Sequence, residues 1–196
     1  MSSNGNEVWR FDPVRVAELE VAGWRAYYRR AWGRLLRLLL QVTREQFGLA
    51  LPWALQGSYY VVRASVAWVQ VDHDLRLVRR YLRRYYTLVA RHGHGLRFEP
   101  RRVADLELRY WALNRRFASE PYGEKSPLIR SLAELHAAMF GISVEEAMSS
   151  GMGRAKALHR VGKITAGRST DLDTDWEQAE RDLRSGYASL IPDAEG

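Results

Sequence analysis

An internal repeat is the feature of this sequence that most constrains its fold. The segment FDPVRVAELEVAGW at 11–24 returns 87 positions later as FEPRRVADLELRYW at 98–111, and eight of the fourteen positions are identical. Two of the differing positions, Asp12/Glu99 and Glu18/Asp105, keep their charge. A repeat of this kind indicates that a structural unit has been duplicated, so we expect two units built to one plan.

Two further matches extend the repeat along the chain. Residues 35–49 align with 128–142, including Phe47-Gly48 with Phe140-Gly141. A third match is sparser and pairs isolated positions: Asp74 with Asp175, Arg80 with Arg181, Leu82 with Leu183, Arg83 with Arg184 and Tyr86 with Tyr187. The changing offset predicts insertions at 120–127 and 163–173, which contain loop-forming residues.

These matches predict how the chain is divided. Unit one covers 11–97 and unit two covers 98–191, with an N-terminal extension at 1–10 and a C-terminal tail at 192–196. Because each unit is shorter than 100 residues, we expect the two to share one hydrophobic core as a single globular domain.

Hydrophobic periodicity predicts an all-α fold. Apolar residues recur at three- and four-residue spacings, and no alternating run predicts a strand. Asp12-Pro13 and Glu99-Pro100 are typical helix starts, while Gly48 and Gly141 stand where helices end. We predict an internally duplicated bundle of about eight helices, four per unit, with the units related by a pseudo-twofold axis. The first two helices of unit one are predicted to be continuous, with a kink near Gly33.

Composition limits the compartment and the chemistry. The chain is 46% apolar and 27% charged, as in ordinary soluble proteins. It has no cysteine, which excludes disulfides and thiolate metal ligands. The first ten residues lack the apolar segment of a signal peptide. We therefore predict a cytoplasmic protein.

One apolar segment required a test as a membrane span. Arg63 is the only charged residue between Glu45 and Asp72, and the run at 51–71 is about long enough to cross a bilayer. Scattered polar residues dilute the run, and its repeat counterpart is plainly polar. We therefore predict a helix buried in a soluble core and no membrane span.

Paired acids and tryptophans are the first candidate site. Glu20 and Glu107 each stand four residues before a tryptophan, so carboxylate and indole share a helix face. Arg63, stranded in an apolar helix, needs a partner because an unpaired buried charge is costly. We predict that Arg63 pairs with Glu20, and that Lys156 pairs with Glu107. The resulting ligand-binding candidates are Glu20, Trp24, Arg63, Glu107 and Trp111, and a purely structural ion pair is the alternative.

An arginine-rich helix face is the second candidate site. Arg76, Arg80 and Arg83 fall on one side of the predicted fourth helix, with tyrosines interleaved. Such a surface suits anions and nucleic acids. Glu180 and Asp182 interrupt the pattern in unit two, so nucleic acid is not favoured and a solvated helix face is the alternative.

Other chemistry lacks a signature. The two Glu-x-x-His steps of a di-iron bundle are absent, and we expect no metal and no cofactor. Gly151 and Gly153 are predicted to allow close helix packing. The first functional hypothesis is a non-enzymatic binding protein with an anionic partner or a second copy of itself as a homodimer. The second is an enzyme or small-ligand binder with a polar pocket between the two units, and no catalytic residue can be assigned.

Overall fold

The described part of the chain is entirely helical. A computed structural model describes residues 10–70, 72, 74–118 and 125–191, and these ranges contain eight α-helices and no strand. The predicted all-α class is therefore confirmed. The helices are α1 Pro13–Tyr28, α2 Trp32–Phe47, α3 Leu51–Val69, α4 Leu75–His92, α5 Pro100–Arg116, α6 Ser126–Phe140, α7 Met148–Thr165 and α8 Leu172–Ala188. The predicted extension at 1–10 (apart from Arg10), the tail and most of the insertion at 120–127 lie outside the described residues.

The eight helices form a ring in chain order. The principal contacts join each helix to the next one along the chain, and α8 closes the ring against α1. Each helix therefore has two main neighbours, one on either side. This arrangement leaves one face of every helix directed towards the centre of the ring.

Helix ends follow the sequence signals closely. The Asp12 side chain accepts a hydrogen bond from the Val14 amide at 2.9 Å, and Glu99 caps α5 in the same way through the Arg101 amide at 2.9 Å. Gly48 and Gly141 end α2 and α6 in the left-handed conformation, with φ of 65° and 70°. These predictions are confirmed, and they rest on chemistry that is local to a few residues.

The predicted kinked continuation of the first helix is wrong. α1 ends at Tyr28 and α2 begins at Trp32, because Arg30 adopts φ of 53° and turns the chain. The Ala31 amide donates to the Ala26 carbonyl at 2.9 Å and the Arg30 amide to Tyr27 at 2.9 Å. This is the usual closure of a helix C-terminus. Arginine occupies the position at which glycine would have revealed the break.

The prediction that α3 is buried is also wrong. Ala54, Ala64 and Trp68 are buried on one face, but Leu51, Leu55 and Tyr59 on the other are about half exposed, at 53%, 50% and 46%. Among the described helices, none combines the length and apolar character that crossing a membrane needs. One face of this helix is therefore buried and the other is exposed to solvent, although apolar residues occur on both faces.

Glycines set the contact between α7 and its neighbours. A Cβ atom on Gly153 would lie 2.7 Å from the Asp182 carbonyl oxygen and 2.8 Å from the Gly186 Cα in α8. A Cβ atom on Gly151 would lie 2.7 Å from the Ile129 carbonyl oxygen in α6. The prediction that these glycines permit close packing is confirmed. They draw α7 against both flanking helices and thereby fix the direction of its other side chains.

Candidate functional site

A cavity of about 550 Å³ occupies the centre of the ring, and all eight helices contribute side chains to its wall. Four of the five predicted ligand-binding candidates line this cavity: Glu20, Trp24, Glu107 and Trp111. The two carboxylates come from α1 and α5, and each tryptophan stands one turn further along the same helix. The shared helix face expected from the four-residue spacing thus faces the cavity.

Arg63 lies elsewhere, and its predicted pairing with Glu20 is wrong. The side chain is exposed on the outer face of α3, where Nη1 donates to the Tyr59 hydroxyl at 3.4 Å. Its guanidinium carbon also lies 5.4 Å from the centre of the Tyr81 ring. The tyrosines around Arg63 count as apolar residues in the sequence, which led to the prediction of a buried segment. Their hydroxyl groups nevertheless allow this face to remain in contact with water.

Glu20 is instead paired with Arg154 from α7. Arg154 Nη1 donates to Glu20 Oε2 at 3.0 Å, and Nη2 donates to the other carboxylate oxygen. The Tyr187 hydroxyl donates to Glu20 and accepts from Arg154 Nη1 at 2.6 Å. The side chains of Arg154 and Glu20 are only 10% and 15% exposed. We refer to Glu20, Arg154 and Tyr187 as the arginine cluster.

The arginine cluster balances its own charge. Burial acts to lower the pKa of Arg154, but Glu20, Tyr187, Tyr110 and Glu107 together outweigh it and keep that pKa well above its usual value. Sequence reasoning missed Arg154, because it stands between small residues in GMGRAKA and was considered only as part of a glycine-rich packing segment. The stretch contains two cations, the buried Arg154 and the exposed Lys156, and nothing in the sequence distinguishes them.

Glu107 has a different environment, and its predicted pairing with Lys156 is wrong. Lys156 is exposed on α7. Glu107 Oε1 accepts from Trp111 Nε1 at 2.7 Å and Oε2 accepts from the Tyr86 hydroxyl at 3.2 Å. Within the described ranges, no cation forms an ion pair with it. Burial raises the pKa of Glu107, and the more distant Arg154 only partly opposes this.

His136 adds a neutral polar group to the wall. Its Nδ1 lies 2.7 Å from the Ser150 hydroxyl oxygen, and the ring is buried. Burial, with a smaller contribution from Arg154, lowers the pKa of His136 to about 3. The imidazole is therefore uncharged at neutral pH and adds no charge to the cavity.

The mouth of the cavity lies at one end of the ring. The exposed lining residues stand at or just beyond the C-terminal ends of α1, α5 and α7, and they include Tyr28, Arg30, Arg115 and Thr165. Arg115 is held there: its guanidinium carbon lies 4.0 Å from the centre of the Trp68 ring, and Nη2 donates to the Trp68 carbonyl at 2.6 Å. Eight residues separate Arg115 from Glu107, about 12 Å along a helix. The carboxylates therefore lie deep, below an aromatic middle section.

Known proteins provide no guide to this cavity. Comparison with protein-family models, with curated proteins and with solved structures finds no match to this chain. The function must therefore be inferred from the groups that line the cavity and from the outer surface.

The predicted anion-binding residues lie outside the ring on α4. Arg83 and its neighbour Arg79 both bind Asp105 of α5, at 3.0 Å each, so part of this charge is neutralised. Arg76 and Arg80 are exposed. These arginines line a shallow surface depression with a volume of about 640 Å³. Its cationic lining residues are Arg76, Arg79, Arg80, Arg83, Arg84 and Arg101.

The cavity groups suit binding and proton exchange. A buried carboxyl group with a raised pKa, held by two neutral donors, can take up a proton or hold a cation. Among the residues that the structure describes, no group of three or more histidine, aspartate or glutamate side chains is arranged to hold a metal ion.

Proposed function

We propose that this protein binds a small organic molecule in its central cavity. The observation that carries the proposal is a 550 Å³ space that holds buried carboxylates and an arginine at the centre of the fold. Ligand sites in proteins are typically concave spaces of about 300–1,000 Å³ with an apolar wall and a few convergent polar groups. Both the size and the composition of this cavity fit that description.

The polar groups of the cavity are incompletely satisfied by the protein itself. Arg154 Nε is buried and has no hydrogen-bond partner among the described residues. Glu107 receives only neutral donors. Leaving a buried polar group unsatisfied costs about 1–3 kcal/mol, and more for charged groups. A fold that keeps such groups around an open space is better explained by an occupant than by packing alone.

The aromatic middle section supports an apolar or planar ligand body. Trp24, Trp68 and Trp111 all line the cavity, and the Trp68 and Trp111 ring centres are 5.8 Å apart. Indole rings offer a large contact area with little conformational freedom to lose, which favours binding. A molecule entering from the mouth would pass these rings before it reaches Glu107.

We also propose that the ring arose by duplication, with the unit boundaries expected from the sequence. Two equivalent contacts support this history. The Tyr86 hydroxyl of the first half donates to Glu107 of the second, and the Tyr187 hydroxyl of the second donates to Glu20 of the first. Both pairs join positions that match in the sequence repeat. A pseudo-twofold axis between the two halves would superpose the Tyr86–Glu107 contact on the Tyr187–Glu20 contact.

Binding of a neutral fluorescent probe tests the proposed function. 1-N-phenylnaphthylamine brightens in apolar sites, and we expect saturable binding with one site per chain. Ser65 is buried and lines the cavity, so Ser65→Phe should abolish binding by filling the space. Ser149→Phe makes the same change at an exposed position and should bind normally. Gly23→Leu is a second blocking variant, because a Cβ there meets only Leu35 at 3.7 Å. Equal binding by all variants would refute the cavity as the site.

An anionic partner at the α4 surface is the second candidate function. The specific observation that favours it is an excess of arginine: six arginines line this depression, and Asp105 is the only acid paired with them among the residues that the structure describes. Arg76 and Arg80, with Arg84 and Arg101, are exposed arginines of this depression that could bind phosphate or carboxylate groups from outside. Nucleic acid is one such partner and is the less favoured one.

Several expectations from the sequence stay predictions. A homodimer is one of them, and the exposed Leu51, Leu55 and Tyr59 on α3 offer it an apolar surface. A cytoplasmic location and an enzymatic activity in a polar pocket between the two units, with no catalytic residue assigned, are the others.

A further inference from the structure

We propose that the cavity selects an organic cation, with its ammonium-type group held by Glu107 and its apolar body between the tryptophans. This inference rests on the proposed function, since it names the class of ligand for the same cavity. Three observations lead to it. The deep end of the cavity around Glu20, Glu107 and Arg154, which we call the floor, has more carboxylates than cations. In addition, α3 places no cation beside Glu107, and aromatic side chains border Glu107.

The deep part of the cavity has one carboxylate more than it has cations. Arg154 is bound by Glu20 through both terminal nitrogens, and it acts on Glu107 without forming an ion pair with it. Glu107 has only Trp111 and the Tyr86 hydroxyl as donors. His136 is uncharged at neutral pH. An unmatched carboxylate in a desolvated site must either bind a proton or find a positive partner, because an isolated buried charge is costly.

The two carboxylates are equivalent in the repeat, but only one has an arginine. Arg154 reaches Glu20 from α7, the third helix of the second half. The third helix of the first half is α3, whose only charged residue is Arg63, exposed on the outer face. α3 gives the cavity Val61, Ser65 and Trp68, none of which is charged. The position that a guanidinium fills beside Glu20 is therefore left without a cation beside Glu107.

Aromatic side chains around the floor suit a cation. The guanidinium carbon of Arg154 lies 5.7 Å from the centre of the Trp24 ring and 5.5 Å from that of Tyr110. Trp111 and Tyr86 border Glu107 and touch its carboxylate through the indole N–H and the phenol hydroxyl. A ring face attracts a cation by about 0.5–2 kcal/mol, most strongly when water is excluded. A protonated amine at Glu107 would meet a carboxylate that is bordered by aromatic side chains.

The arginines at the mouth oppose this selection only weakly. Arg30 and Arg115 are exposed, and their charges are screened by water and salt. Glu107 lies about two helical turns deeper, where burial dominates its environment. The charge of the groups at the floor therefore determines whether a cationic, neutral or anionic ligand binds most tightly. The arginines at the mouth mainly affect the rate at which a ligand enters.

Three naphthalene compounds of similar size test the inference. Displacement of 1-N-phenylnaphthylamine would be measured at neutral pH with 1-naphthylmethylammonium, 1-naphthylmethanol and 1-naphthoate. We expect the ammonium compound to bind about tenfold more tightly than the alcohol, and the carboxylate to bind most weakly. Glu107→Gln should remove the preference for the ammonium compound over the alcohol. Glu18→Gln, which removes an exposed carboxylate on α1, should retain the preference.

The outcomes separate this inference from the proposed function. Equal binding of the ammonium compound and the alcohol, or a preference that survives Glu107→Gln, would overturn the inference and leave the cavity as a ligand site. Tighter binding of the carboxylate would overturn it too and would indicate that Arg154 and the mouth arginines select anions. A protein that takes up no probe at all would instead refute the proposed function.

Discussion

Arg154 and Glu20 bind each other inside the ring although 134 positions separate them in the chain. Their contact joins α7 to α1, and Tyr187 of α8 completes it. Because α8 closes the ring against α1, this cluster ties together the three helices at the closure. The pair therefore serves the fold and also fixes the charge of one half of the cavity floor.

Arg154→Ala should be strongly destabilising. It would leave Glu20 buried without its cation, and removing one partner of a buried ion pair typically costs about 3–5 kcal/mol. Arg63→Ala should change the free energy of unfolding by less than about 0.5 kcal/mol, as is usual for exposed positions. Urea denaturation of both variants measures the contrast. An equal loss of stability in the two would contradict the arrangement described here.

Glu107→Gln should raise stability at neutral pH but not in acid. The folded pKa of Glu107 is raised above the unfolded value of about 4.3, so its favourable contribution is complete below that value. The contribution is lost as pH rises through the folded pKa, because ionisation is then easier in the unfolded chain. Glutamine cannot ionise, its oxygen can accept from Trp111, and its amide nitrogen can donate to the Tyr86 hydroxyl oxygen.

Melting temperatures as a function of pH test this expectation. The difference between Glu107→Gln and the unmodified protein should be small near about pH 4 and should grow in favour of the variant towards neutral pH. Glu18→Gln is the matched control on the surface and should show no comparable trend. A variant that becomes relatively less stable as pH rises would show that Glu107 has a cationic partner within the protein.

Gly153→Ala should loosen the contact between α7 and α8. The added methyl group would lie 2.7 Å from a backbone oxygen of α8, which cannot move aside without shifting the helix. Overpacking of this kind typically costs about 1–3 kcal/mol. At Gly33 in α2 nothing lies within 4 Å of an added Cβ, so Gly33→Ala should instead stabilise the protein, by about 0.5 kcal/mol. Chemical denaturation of both variants gives the comparison, and a neutral Gly153→Ala would contradict the close helix contact.

The double substitution Arg76→Glu with Arg80→Glu should abolish binding to polyanions if the α4 surface has a function. Affinity for a fluorescent single-stranded oligonucleotide would be measured over a range of salt, and each lost phosphate contact should reduce the salt slope by about 0.7. Arg181→Glu with Arg184→Glu makes the same charge change on α8, where both side chains are exposed, and should have little effect. No detectable affinity of the unmodified protein at low salt would exclude this candidate function.

Local signals in the sequence predicted much of the fold. The caps at Asp12 and Glu99, the helix ends at Gly48 and Gly141, and the close packing at Gly153 each depend on a few neighbouring residues. The spacing of Glu20 to Trp24 and of Glu107 to Trp111 also predicted which side chains share a face. Such features can be predicted without knowledge of the tertiary structure.

Partners across the ring were beyond the reach of the sequence. Arg63 is the one charged residue of α3, whereas Arg154 is one of four Lys and Arg residues in α7, so hydropathy alone favoured Arg63. The choice depends on which face each helix turns inward, and that is decided by the neighbours on either side. The break at Arg30 was hidden for a different reason, since a non-glycine residue adopts the left-handed conformation there.

A crystal structure of the protein with 1-naphthylmethylammonium tests the central claim most directly. We expect the naphthalene ring beside Trp24 and Trp111 in the central cavity, and the ammonium nitrogen within hydrogen-bond distance of the Glu107 carboxylate. A cavity filled by the protein's own side chains, with the compound absent or bound only on the outer surface, would contradict the claim that the ring of helices encloses a ligand site.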